Sequence, residues 1–342
     1  MTARHLTLLV PALRPHVDYG VLPERLPALE TLLGRADRFD TGQYGLEASL
    51  FALFAVKVDA EHDLPVASVT YTADTGRPPE GACLRADPVH LMPDRDQLVL
   101  LDSASLNLQA AEAQRLIAEL NAVYAEGGWR FEAPSVNRWY LLLPQRPQLK
   151  TWPLSAVNGQ PIGQCLPGGE QGKIWHGIMN EIQMLLHTCS VNRQRETEGR
   201  LAVSSLWFWG GGKLPAVPTP RWRQVWSRDP VASGLARLAG VAHGPLPADA
   251  QAWLSQVGGD GEHLLVLDSL DSALQQQGGE AWWAALQTFE QHWVEPLLAA
   301  LRSRQIDSLQ LDDGAGTVYR LTRRGLRRWW RRRRPLMQLP HG

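Results

Sequence analysis

Short apolar runs alternate with amphipathic segments of helical length along this chain, and this alternation restricts the fold more than any other feature. Three strand candidates that contain such runs are "LTLLV" at residues 6–10, "LVLL" at residues 98–101 and "EHLLVLDSL" at residues 262–270. Residues 110–124 and 280–301 instead repeat apolar side chains with a helical period. The alternation predicts an α/β fold with a largely parallel sheet flanked by helices.

The length of 342 residues leaves room for two domains. Residues 81–200 differ from the rest of the chain because more short strands and more loops are predicted there. We expect them to form an inserted α+β segment. The main core is then predicted from residues 1–80 and 201–322. Residues 323–342 are rich in arginine and tryptophan and form a separate tail.

The charge of the chain is unevenly distributed, although its net value is only −1. Eight of the 34 basic residues are arginines between Arg323 and Arg334, which leaves 26 basic against 35 acidic residues elsewhere. Three alternatives follow for this tail: it binds nucleic acid, it lies on anionic lipid, or it packs Trp329 and Trp330 on its own domain while its arginines meet the acidic body. The third is favoured, because an acidic body opposes long contact with a polyanion.

Cysteine use and hydropathy indicate the compartment. The three cysteines, Cys83, Cys165 and Cys189, are widely separated and form no CxxC pair, which is not the pattern of a disulfide framework. No apolar stretch reaches the roughly 18–20 residues that a membrane-spanning helix needs. We therefore expect a cytoplasmic protein. The 14 tryptophans predict a large aromatic core, with a surface that stacks on a ligand ring as the alternative.

The densest polar cluster is "HTCSVNRQRETEGR", residues 187–200, which follows one helical pattern and precedes the run "WFWGGG". Arginine side chains match phosphate or carboxylate oxygens two at a time, and a glycine loop lets backbone N–H groups approach a ligand. The cluster is therefore a candidate site for a small anion, and a solvated helix end is the alternative. The candidate residues are His187, Asn192, Arg193, Arg200, Gly210, Gly211 and Gly212.

The stretch "ADPVHLMPDRDQLVLLD", residues 86–102, is rich in side chains that ligate metals. Its spacing is nevertheless no metal signature, because no helix places these groups on one face. Pro88 and Pro93 favour turns that lead into a strand at Leu98–Leu101. No metal site is therefore expected here. If the chain does bind a metal, the candidate ligands are Asp87, His90, Asp94 and the later Asp268.

The segment "LLHTCSVNRQRETEGRLAVSSLWFWGGGKLPAVP", residues 185–218, resembles archaeal-type cofactor-independent phosphoglycerate mutases. The chain as a whole is similar to a proteobacterial group labelled as such mutases or as Rpf-type regulatory proteins. The resemblance implies an alkaline-phosphatase-like α/β core with an inserted domain. It also implies two divalent metal ions and a serine that carries the phosphoryl group.

The departures from that family concern the residues that hold the metals. Proline and alanine follow the first strand where the family has an Asp-Gly ligand, and the family's Gly-Ser-Asp nucleophile is missing, with Ser49 in the nearest serine-bearing stretch. Asp268 or Asp271, and Asp312 with Asp313, stand at later ligand positions without their histidines. These losses predict a pseudoenzyme that keeps the fold.

The function expected from these observations is binding of a small anionic metabolite, with a regulatory role and without a cofactor. An active phosphoglycerate mutase or phosphatase is the alternative, and it would need Mn²⁺ or Mg²⁺. A second alternative is a nucleic-acid or membrane partner reached through the arginine tail, although nucleic acid is not favoured. A protein partner stays open.

Overall fold

The structure is a computed structural model, which describes residues 3–15, 25–58, 63–218 and 221–331. The chain divides into two compact units. Unit 1 is formed by residues 1–56 together with 217–342, and unit 2 by residues 57–216. In the sequence, unit 2 lies between the two segments of unit 1 and runs from Lys57 to Ala216, whereas the predicted insertion covers residues 81–200.

The helices and strands follow one another in three blocks along the chain. The first block, in unit 1, comprises β1 (Arg4–Leu9), α1 (Pro27–Arg35), β2 (Asp37–Tyr44) and α2 (Leu46–Leu53). The second block forms unit 2 and comprises α3 (Val66–Thr75), β3 (Ala82–Asp94), β4 (Gln97–Leu101), α4 (Ser103–Leu106), α5 (Ala110–Tyr124), β5 (Arg130–Ser135), β6 (Arg138–Leu143), α6 (Leu154–Val157), α7 (Gly172–Thr188), α8 (Ser190–Thr197) and β7 (Ser205–Trp209). The third block returns to unit 1 with β8 (Trp222–Trp226), α9 (Pro230–Leu238), β9 (Ala242–Gly244), α10 (Ala250–Gln256), β10 (Gly261–Val266), α11 (Ser269–Phe289), α12 (Glu295–Arg302), β11 (Ser308–Asp312), β12 (Ala315–Thr322) and α13 (Arg323–Leu326).

The sheet of unit 1 has the strand order β2-β12-β11-β1-β10-β8-β9. The five strands β11, β1, β10, β8 and β9 run parallel to one another. Strands β12 and β2 extend the sheet in antiparallel pairs. The predicted α/β class with a largely parallel sheet is therefore confirmed.

One face of this sheet carries the main core of unit 1. Alternate residues of the central strands, such as Leu6, Leu8 and Leu265, pack with residues of α1, α10, α11 and α12. Trp253 and Trp282 are fully buried in this cluster, so tryptophans contribute to the core as expected. A buried carboxylate joins α1 to this core, because Glu290 accepts hydrogen bonds from the N–H groups of Ala28 and Leu29 at 3.1 Å each.

Unit 2 is built around the long strand β3. Its first residues pair with β6, its middle with β7 and its last with β4, all in antiparallel register. Helix α3 also contacts β3. Because β7 and α3 both associate with β3, they belong to unit 2, which explains why the insertion extends beyond 81–200.

The prediction that Pro88 and Pro93 mark turns is wrong, since both lie inside β3. Pro88 is paired with Leu206 of β7, and Pro93 with Leu98 of β4. In the described residues, β3 has a paired strand on only one side at each proline, so the missing N–H can face the unpaired side. The predicted strand at Leu98–Leu101 is confirmed as part of β4.

The described part of the arginine tail is anchored by arginines and not by tryptophans. Arg328 contacts Asp37 at 2.5 Å, and Arg331 contacts the same carboxylate at 3.3 Å. Trp329 and Trp330 are 80% and 64% exposed, so the prediction that they pack on their own domain is wrong. Residues 332–342 lie outside the described part. None of the described helices has the length and apolarity that crossing a membrane requires.

Candidate functional site

The parallel strands of unit 1 end at one edge of the sheet, and each is followed by polar residues. Arg14 follows β1, Asp229 follows β8, Asp268 follows β10, and Asp312 with Asp313 ends β11. In open α/β sheets the edge at the carboxyl ends of the strands is where ligands bind. This edge is therefore the candidate ligand-binding site of unit 1.

A buried ion pair lies at this edge. Arg14 Nη2 is 3.3 Å from Asp313 Oδ2, and the two side chains are 3% and 0% exposed. Asp313 Oδ1 accepts hydrogen bonds from the backbone N–H groups of Ala315 and Thr317. The segment that carries Arg14 is fixed as well, because Trp282 Nε1 donates to the carbonyl oxygen of Ala12 at 2.8 Å. Arg14 is thus a fixed positive charge at the strand ends.

Two neighbouring carboxyl groups at the edge have raised pKa values. Burial, with smaller contributions from the charges of Glu47 and Asp268, raises the pKa of Asp229 to about 6. Burial also raises the pKa of Asp312 to about 6, with a smaller contribution from Asp313. Both side chains have structural partners. Asp229 Oδ1 accepts hydrogen bonds from the N–H groups of Val231 and Ala232 at the start of α9, and Asp312 Oδ1 accepts one from the N–H of Gly314.

This set of side chains does not fit the two-metal centre that the resemblance implies. A guanidinium has no lone pair to offer a metal, and its charge repels a divalent ion. Across residues 3–15, 25–58, 63–218 and 221–331, no group of three or more His, Cys, Asp and Glu side chains is arranged to hold a metal ion. The edge is therefore built around an internal cation.

The four alternative metal ligands are not brought together. Asp87 is completely buried in β3, where its carboxylate accepts from Arg85 Nη2 at 2.6 Å and from Trp209 Nε1 at 2.7 Å. His90 Nδ1 lies 2.9 Å from the carbonyl oxygen of Ala202, and Asp94 is exposed at the end of the strand. Asp268 belongs to the other unit.

Two residues of the predicted anion site have structural partners in unit 2. Asn192 is buried and bridges the backbone: its amide donates to the carbonyl oxygens of Leu186 and Val203, and its oxygen accepts the N–H of Val203. Arg200 donates to both oxygens of Glu112 at 2.9 and 3.0 Å. The same carboxylate also accepts from the fully buried Arg195, another arginine of the cluster at residues 187–200.

The glycine loop has different neighbours. The N–H of Gly210 donates to Thr151 Oγ1, the carbonyl oxygen of Gly211 accepts from Arg146 Nη2, and that of Gly212 accepts from Ser68 Oγ. A Cβ at Gly212 would lie 2.5 Å from Pro65 Cβ. Glycine is therefore required here for close packing against the segment before α3.

His187 and Arg193 have exposed side chains on α7 and α8. Asn192 and Arg200 form hydrogen bonds with Asn107, Glu112, Leu186 and Val203. The glycine loop instead contacts residues 65–84 and 146–151. The structure thus places the predicted residues in two differently anchored groups, and binding of an anion by both together stays a prediction.

Arg14 is the residue at the strand ends that sequence reasoning missed. Its signal was present, because an arginine follows the first strand in "LTLLVPALRP", four residues after the apolar run. Nothing in that local pattern names Asp313, which is 299 residues away.

The fold and this edge define a two-unit α/β protein with a polar rim at the carboxyl ends of its parallel strands. A scan against models of known protein families finds no match. The chain is 30% identical over 135 residues to a probable 2,3-bisphosphoglycerate-independent phosphoglycerate mutase of Geobacter sulfurreducens, a match that covers 39% of this chain and 34% of that protein. It is 26% identical over 117 residues to the 2,3-bisphosphoglycerate-independent phosphoglycerate mutase of Methanosarcina barkeri, covering 33% of this chain and 29% of that protein. The matched stretches thus span about a third of the relatives' length.

Two solved structures resemble the whole chain. The PH0037 protein of Pyrococcus horikoshii has a TM-score of 0.56 at 10% identity, covering 94% of this chain and 88% of that one. A cofactor-independent phosphoglycerate mutase of Thermoplasma acidophilum has a TM-score of 0.45 at 16% identity, covering 94% and 90%. The first likeness concerns the fold alone. The sequence matches relate part of this chain to the phosphoglycerate mutases.

Proposed function

We propose that this protein is a relative of the phosphoglycerate mutases that has lost two-metal phosphoryl transfer and binds a small anionic metabolite in a regulatory role. The observation that carries the proposal is the Arg14–Asp313 pair at the strand ends. A two-metal centre stabilises the attacking and leaving oxygens of an in-line displacement. A buried arginine that already holds one of the carboxylates cannot supply that chemistry.

The names of the relatives indicate which anion to test first. They are phosphoglycerate mutases, so a phosphorylated three-carbon acid is the proposed ligand class. His187 and Arg193 are the proposed contacts in unit 2 because both side chains are exposed, and Arg200, which is paired with Glu112, adds a second guanidinium. The regulatory role rests on the resemblance to the Rpf-type group.

The test begins with metal-stripped protein titrated with Mn²⁺ and Zn²⁺ in a calorimeter. We expect no stoichiometric binding of two ions and no mutase or phosphatase turnover with either ion. In a second titration 3-phosphoglycerate should bind to the wild type and lose affinity about tenfold in Arg193→Ala, because one charge-assisted contact is removed. Tight binding of two ions with turnover would contradict the loss of catalysis. Unchanged 3-phosphoglycerate affinity in Arg193→Ala would remove that residue from the site.

The relatives' names also favour the alternative of an active, Mn²⁺- or Mg²⁺-dependent mutase or phosphatase. That alternative requires the metal ligands to assemble differently from the arrangement described above. The same metal titration separates the two functions, because only the enzyme needs the ions.

A further inference from the structure

A cleft of about 350 Å³ opens on unit 1, on the sheet face opposite the main core. Its floor is formed by alternate residues of three neighbouring strands. The register places Asp312 beside Val318, and Val318 beside Phe39, while Gln310 lies beside Arg320 in the next row. Helix α2 forms one wall with Ser49, and Arg221 lies at another side.

Ser49 carries an unexplained polar group in this cleft. The residue is 1% exposed, and its Oγ has no hydrogen-bond partner among the described residues. A buried hydroxyl without a partner is destabilising, because it has given up its hydrogen bonds to water and gained none in return. A serine that lines a cleft and lacks such a partner is therefore explained if a bound molecule supplies the hydrogen bond.

The charges of the lining indicate the sign of that molecule. Arg320 is exposed at the cleft. Arg221 is held in place, with its guanidinium 4.1 Å from the ring centroid of Trp222 and its Nε 2.8 Å from Glu262. Asp312 is the one carboxylate among the described lining residues, so the two guanidinium groups outnumber it.

The rest of the lining is suited to a ring. Phe39 leaves 51% of its surface exposed on strand β2, and Val318 lies beside it. An aromatic ring that stacks on such an exposed side chain gains a favourable interaction beyond the burial of apolar area. A cleft of this size also falls within the range of small-molecule sites, roughly 300–1,000 Å³.

We propose that this cleft binds a small aromatic anion, either a carboxylate or a phosphate ester, whose charged oxygens meet Arg320 and Arg221 while its ring lies on Phe39 and Ser49 donates a hydrogen bond. The proposal goes beyond the function proposed above, since its ligand contacts are in unit 1 and not at His187, Arg193 and Arg200 of unit 2, and it uses no metal. The two proposals can therefore be tested separately.

The experiment is a calorimetric titration of the full chain in EDTA with four probes of similar size. Benzoate and phenyl phosphate carry the proposed charge, benzylamine carries the opposite charge, and benzyl alcohol is neutral. We expect one-to-one binding of at least one anion and at least tenfold weaker binding of the amine and the alcohol. Absence of binding by both anions, or equal binding of the amine, would overturn the proposal.

Variants then locate the site. Arg320→Gln should weaken anion binding about tenfold, because it removes a charge-assisted contact. Arg38→Gln is the matched control: Arg38 is exposed on the neighbouring strand beside Tyr319, on the opposite face. An equal loss in both variants would mean non-specific charge attraction and would overturn the assignment.

Ser49→Ala distinguishes a ligand contact from a packing residue. The hydroxyl has no described partner, so the variant should unfold at the same temperature as the wild type or higher. We expect this intact protein to bind the anion several-fold more weakly. Unchanged affinity in a stable Ser49→Ala protein would overturn the role of the serine.

Discussion

Arg14 Nη2 lies 3.3 Å from Asp313 Oδ2, and this contact joins the end of the first strand to the end of β11. Both side chains are buried, so neither charge is screened by water. A metal-dependent relative would need negative and neutral ligands at such an edge. Here a side-chain cation stands among the carboxylates.

Loss of Arg14 should be costly, because a buried carboxylate then loses its charged partner. We expect Arg14→Met to lower the free energy of unfolding by about 3–5 kcal/mol, measured by urea denaturation at pH 7. The double variant Arg14→Met with Asp313→Asn should recover part of this loss, since it removes both charges. Strictly additive effects in this double-mutant cycle would contradict a coupled pair.

Asp229 should make stability depend on pH. Its pKa is about 6 in the folded protein, above the reference value of 3.8. Between these values the folded state keeps a proton that the unfolded state releases, so the contribution is fully present below about pH 4 and is lost as the pH rises through 6. Asp229→Asn keeps an oxygen for the N–H groups of Val231 and Ala232 and removes the charge.

We therefore expect Asp229→Asn to unfold like the wild type at pH 4 and to be more stable at pH 8, by about 3 kcal/mol. Thermal unfolding across this pH range is the measurement. Asp249→Asn makes the same change at the N-terminus of α10, where Asp249 also caps a helix, and serves as the control. A parallel shift at all pH values would show that charge is not the cause.

Asp87 should act in stability and not in metal binding. Its carboxylate accepts hydrogen bonds from Arg85, Trp209 and the backbone of Trp139. Asp87→Ala leaves a buried guanidinium without its partner and should destabilise the protein by about 3–5 kcal/mol. Asp94→Ala, at the exposed end of the same strand, should change stability by less than about 0.5 kcal/mol. Comparable losses in chemical denaturation would show that the burial of Asp87 is not decisive.

The exposed tryptophans of the tail should contribute little to folding. Trp329 and Trp330 are mostly exposed, so replacing both with alanine should leave the melting temperature within about 2 °C of the wild type. Leu326→Ala, in the adjacent helix α13, removes a buried side chain and should lower it clearly. A large loss in the tryptophan variant would restore the interpretation that they pack on their own domain.

The sequence by itself determined the elements whose own residues carry a strong period. Residues 110–124 were predicted as a helix and form α5. Residues 262–270 were predicted as a strand, of which 262–266 lie in β10 and the last two begin α11. These segments bury one face or a whole strand, and the apolar spacing needed for that burial is local. The absence of Asp-Gly after the first strand could likewise be read directly, because it concerns residue identity.

Tertiary structure alone decided which residues meet. Strand β2 was not predicted, because "DRFDTGQY" is an almost fully exposed edge strand without apolar alternation. The partners Arg14 and Asp313 are 299 positions apart, and Asp87 accepts hydrogen bonds from two side chains and one backbone N–H that lie on three strands. The apolar spacing of a segment indicates which of its residues are buried. The partner of a residue across the sheet depends on strand order and register, and these are determined only in the folded chain.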